Sequence, residues 1–246
     1  MGWHQPLHRT FVAIDIEGFN RPEWQDPVRA RLRAELHSTL REAFERAGVA
    51  AERYVVSDLG DGMLVLIDPA VSKVTLLDPF LHELEAGLRD YNRGASAQLR
   101  LRIVLHAGEI LPDSHGWTGA ALNHAFRLLG DDQLRAALAA TSGQVALIVS
   151  EPIYRAVVEH EWRGIQKSEY QRVIVTVKET TAPAWIHAPG WQAPQMAPEA
   201  DRKAGGGHGA AQQRAGVTNI VHRADNVING PVEVARDFVI NPRPSR

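Results

Sequence analysis

Two aspartates stand where their side chains could bind a divalent cation. Asp15 lies in the apolar run FVAIDI, where an ionised carboxylate is costly unless something compensates its charge. Asp61 stands between two glycines. Each has an ordinary explanation alone, Asp15 as a strand-end or capping residue and Asp61 as the former of a tight turn. If the fold brings the two carboxylates together, a hard dication with oxygen ligands is the natural compensator.

Three further side chains could act on a phosphate-bearing substrate. Asn123 and Arg127 are four residues apart in a predicted helix, so they share one face, although such a pair is more often solvated surface. Lys178 ends the apolar run VIVTVK, where a lysine usually extends to the rim, and it is one of only four lysines. Three single histidines lack the paired spacing of zinc ligands and are assigned to strand, loop or helix surface: His106, His115 and His124.

The elements that must position these residues follow from the hydrophobic patterns. Alternation predicts a strand over residues 9–17, and the start signal Asp26-Pro27 opens an amphipathic helix that closes at Gly48. Two apolar runs around Gly60-Asp61-Gly62 predict a β-hairpin over residues 53–68. A second helix over 71–92 and a strand over 99–110 follow.

The rest of the pattern consists of further helices and strands. A polar loop over 111–119 precedes helices over 119–130 and 133–140, a strand over 145–150, a helix over 151–160, and strands over 171–178 and 184–187. This order predicts an α/β (α+β) fold, a ferredoxin-like βαββαβ palm with additional αβ elements. With the first strand central, its end lies beside the hairpin, so that Asp15 and Asp61 converge.

Composition excludes several classes of function. The chain has 246 residues, a formal net charge of −2 and no cysteine, so we expect no nucleic-acid partner, no thiolate metal site and a cytoplasmic location. No apolar run approaches the roughly 20 residues of a membrane span, so we expect no membrane partner. Residues 189–216 are dense in Pro, Gly, Ala and Gln and predict a flexible linker, and 217–246 form a β-prone C-terminal tail.

Six blocks in order carry a family resemblance: FVAIDIEGF, SDLGDGMLVL, LRIVLHAGEI, GAALNHAFR, VALIVSEPIY and VTVKET. Together they resemble the conserved blocks of class III nucleotidyl cyclases, the catalytic domains of adenylyl and guanylyl cyclases, over residues 9–188. The resemblance implies that Asp15 and Asp61 hold Mg²⁺ or Mn²⁺, two ions per site. It assigns Asn123 to the ribose, Arg127 to the transition state and Lys178 to the triphosphate tail, with the backbone from Ile16 to Phe19 near the phosphates.

The same resemblance implies a reaction and an assembly. The ribose 3′-oxygen attacks the α-phosphorus of a nucleoside triphosphate, giving a 3′,5′-cyclic nucleotide and pyrophosphate. The family builds its sites between two protomers, the aspartates from one and the Asn, Arg and Lys from the other, so a homodimer is implied. A diguanylate-cyclase-like palm is disfavoured, because no Gly-Gly-acidic-acidic-Phe hairpin is present.

The sequence departs from this family at the positions that read a purine base. Ser57, followed by Asp58, stands where a Lys or Glu is usual, and Gly116, followed by Trp117, stands where Asp, Thr or Cys is common. We therefore expect these four residues to contact a different base. The resemblance extends to the stand-alone pyrimidine cyclases of bacterial anti-phage signalling, which make cyclic CMP or cyclic UMP.

An alternative function is a catalytically inactive, cyclase-like nucleotide sensor that signals through its C-terminal tail. The tail segment NVINGPVEVARDFVIN resembles short amyloid-type signalling motifs of bacterial defence proteins, which implies a tail-mediated protein partner. A disordered tail, or a strand added to a partner's sheet, explains the same pattern equally well.

Overall fold

The structure, a computed structural model, describes residues 5–113, 116–178 and 180–193. Within these ranges eight strands form one mixed sheet with helices on both of its faces, an α+β fold. No helix in the described part of the chain is long and apolar enough to cross a membrane.

The first half of the chain builds the predicted βαββαβ palm. Its elements are β1 (Leu7–Ile16), α1 (Asp26–Arg46), β2 (Tyr54–Asp58), β3 (Gly62–Ile67), α2 (Lys73–Leu77), α3 (Phe80–Asn92) and β4 (Leu101–Asp113). The strands lie in the order β2-β3-β1-β4, all antiparallel to their neighbours. The prediction that the first strand is central is confirmed.

The second half adds strands to the β4 side. Its elements are β5 (Gly116–Thr118), α4 (Ala120–Leu129), α5 (Asp132–Ala140), β6 (Val145–Ser150), α6 (Glu151–Ile153), β7 (Tyr170–Val177) and β8 (Thr180–His187). β6 is parallel to β4, and β8 and β7 follow antiparallel, so that β2 and β7 are the two edges of the main path. β5 pairs only with the end of β4.

Two hydrophobic cores cover the two faces of the sheet. On one face α1, α3 and the segment after β6 pack against alternate residues of the central strands, such as Ile14, Val65 and Ile103. On the other face α4 and α5 pack against the residues between them, such as Ala13 and Val104. This alternation follows from the two-residue period of a strand, which sends neighbouring side chains to opposite faces.

Three predicted elements differ from the structure. The helix predicted over 71–92 is two helices, α2 and α3, separated at Asp78-Pro79, because proline has no N–H to donate and its ring clashes with the preceding turn. The loop predicted over 111–119 is instead the end of β4 paired with β5. The helix predicted over 151–160 is one α-turn followed by a π-helical turn, Tyr154–Val158.

The fold continues past residue 188, where the sequence suggested that the linker begins. Trp191 is buried in the α4/α5 core, and its N–H donates to the carbonyl of Ala188 over 3.0 Å. The remainder of the predicted linker and the whole predicted tail, residues 194–246, lie outside the described residues.

Candidate functional site

The β2–β3 hairpin lies directly against the end of β1. Asp15 faces Gly62 in the β1–β3 register, and the N–H of Ile16 donates to the carbonyl of Asp61 over 3.0 Å. A Cβ at Gly62 would stand 2.0 Å from the Ile14 carbonyl oxygen, so only glycine permits this approach. The predicted convergence of Asp15 and Asp61 therefore rests on backbone packing.

The charges of the two aspartates interact. Asp15 lies on the α4/α5 face of the sheet, in line with Ala13, and its side chain is 23% exposed. Burial raises the pKa of Asp15 above its usual 3.8, the neighbouring Asp61 carboxylate raises it further, and the Arg102 guanidinium opposes both. Two carboxylates held this close form a site of negative charge that a cation would relieve.

Arg102 is the partner of Asp15 that the sequence did not single out. It faces Asp15 in the β1–β4 register, and its Nη2 donates to Asp15 Oδ2. Its Nε and Nη1 are buried and have no hydrogen-bond partner in the described ranges. The one signal in the sequence was the Leu/Arg alternation at the start of this strand, which placed an arginine on a partly packed face.

The carboxylates of Asp15 and Asp61 fit a cation that takes most of its ligands from water or substrate. No group of three or more His, Asp or Glu side chains in the described part of the chain is arranged to hold a metal ion. Asp15 and Asp61 supply carboxylate oxygens, which suit Mg²⁺ or Mn²⁺. Mg²⁺ in particular is commonly bound by one or two carboxylates together with water and substrate phosphate oxygens.

The backbone after Asp15 forms a tight turn. The N–H groups of Ile16, Glu17 and Phe19 donate to the carbonyls of Asp61, Arg100 and Ile16 respectively. Gly18 has a φ of +66°, a left-handed conformation that favours glycine. Since three of the four N–H groups from Ile16 to Phe19 have partners within the protein, the expected phosphate contact of this backbone stays a prediction.

The helix α4 carries Asn123 and Arg127 on the α4/α5 face. Asn123 is exposed and Arg127 is half-buried. Between them the ring of His124 lies 5.0 Å from the ring of His106, tilted by 59°. His106 is buried in β4 with its Nδ1 2.7 Å from Ser150 Oγ. The helix that carries Asn123 and Arg127 is thus anchored on the sheet by its other face, which is formed by buried residues such as Leu122 and Ala125.

Lys178 occupies the turn between β7 and β8. It is exposed and has a φ of +52°, which is uncommon for a residue with a Cβ. The sequence predicted it at the end of a strand, and the structure places it one residue beyond that end.

Strand registers place Lys178 far from the two aspartates within one chain. Asp15 faces Arg102, Arg102 faces Ala146, and the next residue of β6 faces His187. Lys178 precedes His187 by nine residues, so it lies on the order of 30 Å along the strand direction from the Asp15 row, at about 3.3 Å per residue. We call the end of the sheet near Asp15 the first end and the end near Lys178 the second end. The start of α4 also lies towards the second end, because Ala121 packs at Gly108, well beyond Arg102 on β4.

The four residues suspected of base contact do not share one environment. Ser57 faces Leu64, a residue of the α4/α5 core, and its buried Oγ has no hydrogen-bond partner in the described ranges. Trp117 is half-buried and packs against the same core, while Gly116 begins β5 with a φ of +135°. The side chain of Asp58 projects to the opposite face of the sheet, where it forms hydrogen bonds with Arg33 and His37 of α1.

Solved structures similar to this chain share its fold. An adenylate/guanylate cyclase/hydrolase from Silicibacter pomeroyi is 18% identical with a TM-score of 0.54, over 76% of this chain and 99% of that one. The guanylyl cyclase Cya2 is 18% identical with a TM-score of 0.53, over 76% and 92%. The catalytic core of a rhodopsin-guanylyl cyclase with converted specificity, in complex with ATPαS, is 16% identical with a TM-score of 0.54, over 76% and 100%.

At these identities the similarity establishes the fold alone. No protein-family model matches the chain, and no curated protein matches it in sequence.

Proposed function

We propose that this protein is a nucleotidyl cyclase that converts a nucleoside triphosphate to a 3′,5′-cyclic nucleotide and pyrophosphate. The observation that carries the proposal is the convergence of Asp15 and Asp61 at the end of β1, held by the packing of Gly62 on the Ile14 carbonyl. The fold that produces this convergence is shared with solved adenylyl and guanylyl cyclase domains.

Asp15 and Asp61 would hold Mg²⁺ or Mn²⁺, two ions per site, and the bound ions would lower the pKa of the ribose 3′-hydroxyl and neutralise phosphate charge. Asn123 orients the ribose by hydrogen bonding. Arg127 donates to the α-phosphoryl oxygens, where negative charge grows as the 3′-oxygen bonds phosphorus and pyrophosphate leaves. Lys178 binds the triphosphate tail as a point charge.

The site requires two protomers. Because Asp15 and Lys178 lie at opposite ends of the sheet in one chain, one triphosphate cannot bridge them. A two-fold dimer that places the first end of one protomer against the second end of the other would bring the two sets of residues together. We therefore propose a homodimer with two equivalent sites, inactive as a monomer.

We propose that the substrate carries a pyrimidine base, so that the product is cyclic CMP or cyclic UMP. The proposed biological process is anti-phage signalling. The support for a pyrimidine is the character of the expected base pocket: a small hydroxyl at Ser57, no side chain at Gly116 and the indole of Trp117.

Purified protein incubated with Mn²⁺ or Mg²⁺ and each of ATP, GTP, CTP and UTP, with products identified by mass spectrometry, tests the proposal. We expect one cyclic product, dependent on metal and absent with Asp61→Ala. No cyclic product from any triphosphate, in a protein shown to be dimeric, would rule out the cyclase and favour the inactive nucleotide sensor.

A further inference from the structure

Asp58 makes three hydrogen bonds, two of which join the β2–β3 hairpin to α1. Its Oδ2 accepts from Arg33 Nη2 over 2.7 Å and lies 2.9 Å from His37 Nε2, and both partners belong to α1. Its Oδ1 accepts the N–H of Gly60 over 2.8 Å, inside the hairpin turn. Burial raises the pKa of Asp58, but the bonds from His37, Arg33 and Gly60 outweigh it and hold that pKa below its usual 3.8.

This geometry separates Asp58 from the expected base pocket. Neighbouring strand residues point to opposite faces, so Ser57, opposite Leu64, lies on the α4/α5 face, whereas Asp58, opposite Met63, lies on the α1 face. A carboxylate that already accepts two charge-assisted bonds and one backbone bond has an internal role that needs no ligand.

The hairpin turn is therefore fixed on two sides. On one side β1 holds it, through the Gly62 approach and the bond from Ile16 to Asp61. On the other side α1 holds it, through Asp58. Between these two attachments the loop is closed by the N–H of Leu59 on the Gly62 carbonyl over 2.9 Å, and the exposed Asp61 lies in that loop.

We propose that Asp58 is a positioning residue that ties the hairpin to α1 through Arg33 and His37, so that Asp61 is preorganised opposite Asp15. The effect of this role on metal binding rests on the proposed function. The attachment of the hairpin to α1 does not, because it is given by the hydrogen bonds of Asp58 to Arg33 and His37. Without the tie, the loop samples more conformations and Asp61 must be ordered when a cation binds, which weakens the affinity.

The chain contains a matched control at the opposite end of the same hairpin. Asp68 follows β3, accepts the N–H of Ala70 over 2.8 Å and pairs with Arg53 over 3.3 Å. Its side chain is 24% exposed against 28% for Asp58, and each aspartate accepts one backbone N–H and one arginine N–H. They differ in that Arg53 lies beside the hairpin in sequence, whereas Arg33 and His37 lie on α1.

The first measurement is amide hydrogen exchange on the metal-free, full-length protein. We expect the N–H groups of Leu59 and Ile16 to exchange about fivefold to tenfold faster in Asp58→Ala, and about threefold faster in the double variant Arg33→Gln/His37→Gln. Asp68→Ala leaves both rates within about twofold of wild type. Equal rates at Leu59 and Ile16 in wild type and Asp58→Ala overturn the proposal.

The second measurement is Mn²⁺ binding, followed by calorimetry. Asp58→Asn retains an acceptor for Gly60 but loses the charge that α1 binds, and we expect its Mn²⁺ dissociation constant to rise about threefold to tenfold. Asp68→Asn leaves that constant unchanged. If Asp58 instead contacts the base, Asp58→Asn alters the order in which the four triphosphates are used and leaves hairpin exchange at the wild-type rate, which also overturns the proposal.

The Mn²⁺ and hydrogen-exchange measurements distinguish a failure of the proposed function from a failure of the proposed role of Asp58. A wild-type protein that neither binds Mn²⁺ nor forms a cyclic nucleotide ends the proposed function, while exchange at Leu59 and Ile16 still decides whether Asp58 holds the hairpin.

Discussion

The two ends of the sheet are built in different ways. At the first end Asp15 is largely buried, paired with Arg102 and flanked by a hairpin whose turn is bonded on both sides. At the second end Lys178 stands exposed in a turn and Asn123 is exposed near the start of α4. The acidic half of the proposed site is preorganised within one chain, and the basic half presents its side chains outwards.

This difference suits the proposed homodimer, which would use both ends. An acidic pair with one largely buried member gains most from a fixed geometry, because the cost of holding two carboxylates together is met during folding. Exposed amide and ammonium groups can be brought to a substrate by subunit association. We therefore expect variants of Asp15 and Asp61 to change metal binding, and through it turnover, and variants of Asn123 to change turnover without disturbing the fold.

The largest expected effect comes from mixing two inactive proteins. Asp61→Ala and Arg127→Ala should each lower turnover by about 1000-fold, since one loses a metal ligand and the other a transition-state donor. Co-expressed and purified without separating the dimers, they should recover about a quarter of wild-type activity, because half of random dimers are mixed and each mixed dimer has one intact site of two.

The control for mixing uses two changes at the same end. Asp15→Asn mixed with Asp61→Ala should recover nothing, because every site then lacks one aspartate. Equal recovery in both mixtures, measured as cyclic product per dimer, would refute the division of the site between protomers.

The next effect concerns His106, beneath α4 at the second end. Burial, followed by the charges of His124 and His8, lowers the pKa of His106 to about 4 from 6.5. The unfolded chain therefore binds the proton first, so stability should fall as pH drops from 6.5 towards 4, by at most about 3 kcal/mol. Denaturant titrations at pH 7 and pH 4.5 should show a smaller loss in His106→Gln than in wild type.

The groups that face His106 identify the control for this pH dependence. Ser150 on β6 bonds its Nδ1, Phe11 on β1 and His124 on α4 contact its ring, and His8 pairs with Glu109 nearby. His8→Gln removes a distant cationic group and should leave most of the pH dependence in place. A His106→Gln protein that loses as much stability as wild type contradicts the interpretation.

A smaller effect separates the two aspartates of the first end. Because the pKa of Asp15 is raised, its ionised form costs stability above the folded-state pKa, and that cost disappears once the pH falls below about 3.8. In metal-free protein at pH 7, Asp15→Asn should therefore raise the thermal midpoint, and the gain should shrink with acidification. Asp61→Asn, at the exposed turn, should change the midpoint less.

The smallest effect concerns Lys178 at the second end. Its φ of +52° favours glycine, so Lys178→Gly should be more stable than Lys178→Ala by about 1 kcal/mol, measured by denaturant unfolding. Both variants remove the ammonium group and should raise the KM for triphosphate alike. An equal free energy of unfolding for the two would show that this turn relaxes without strain.

Local pattern was enough for the part of the site that depends on neighbouring elements. The alternation around Asp15, the glycines around Asp61 and the order of the first four strands together predicted that the two carboxylates meet, and the β1–β3 register places Asp15 opposite Gly62, the residue after Asp61. The break at Asp78-Pro79 was a local signal that the helical periodicity on both sides obscured. β5, with three residues, is too short to show a period.

The sequence by itself determined the order of helices and strands along the first half of the chain, the candidate pair Asp15 and Asp61, and the spacing of Asn123 and Arg127, because each depends on a periodicity or turn signal within a few residues. Only the tertiary structure decided that Arg102 faces Asp15, that Asp58 turns to α1, and that Lys178 lies at the other end of the sheet. Those pairings join residues far apart in the chain. Their physical cause is the register between strands and the packing of helices on them, which no local pattern specifies.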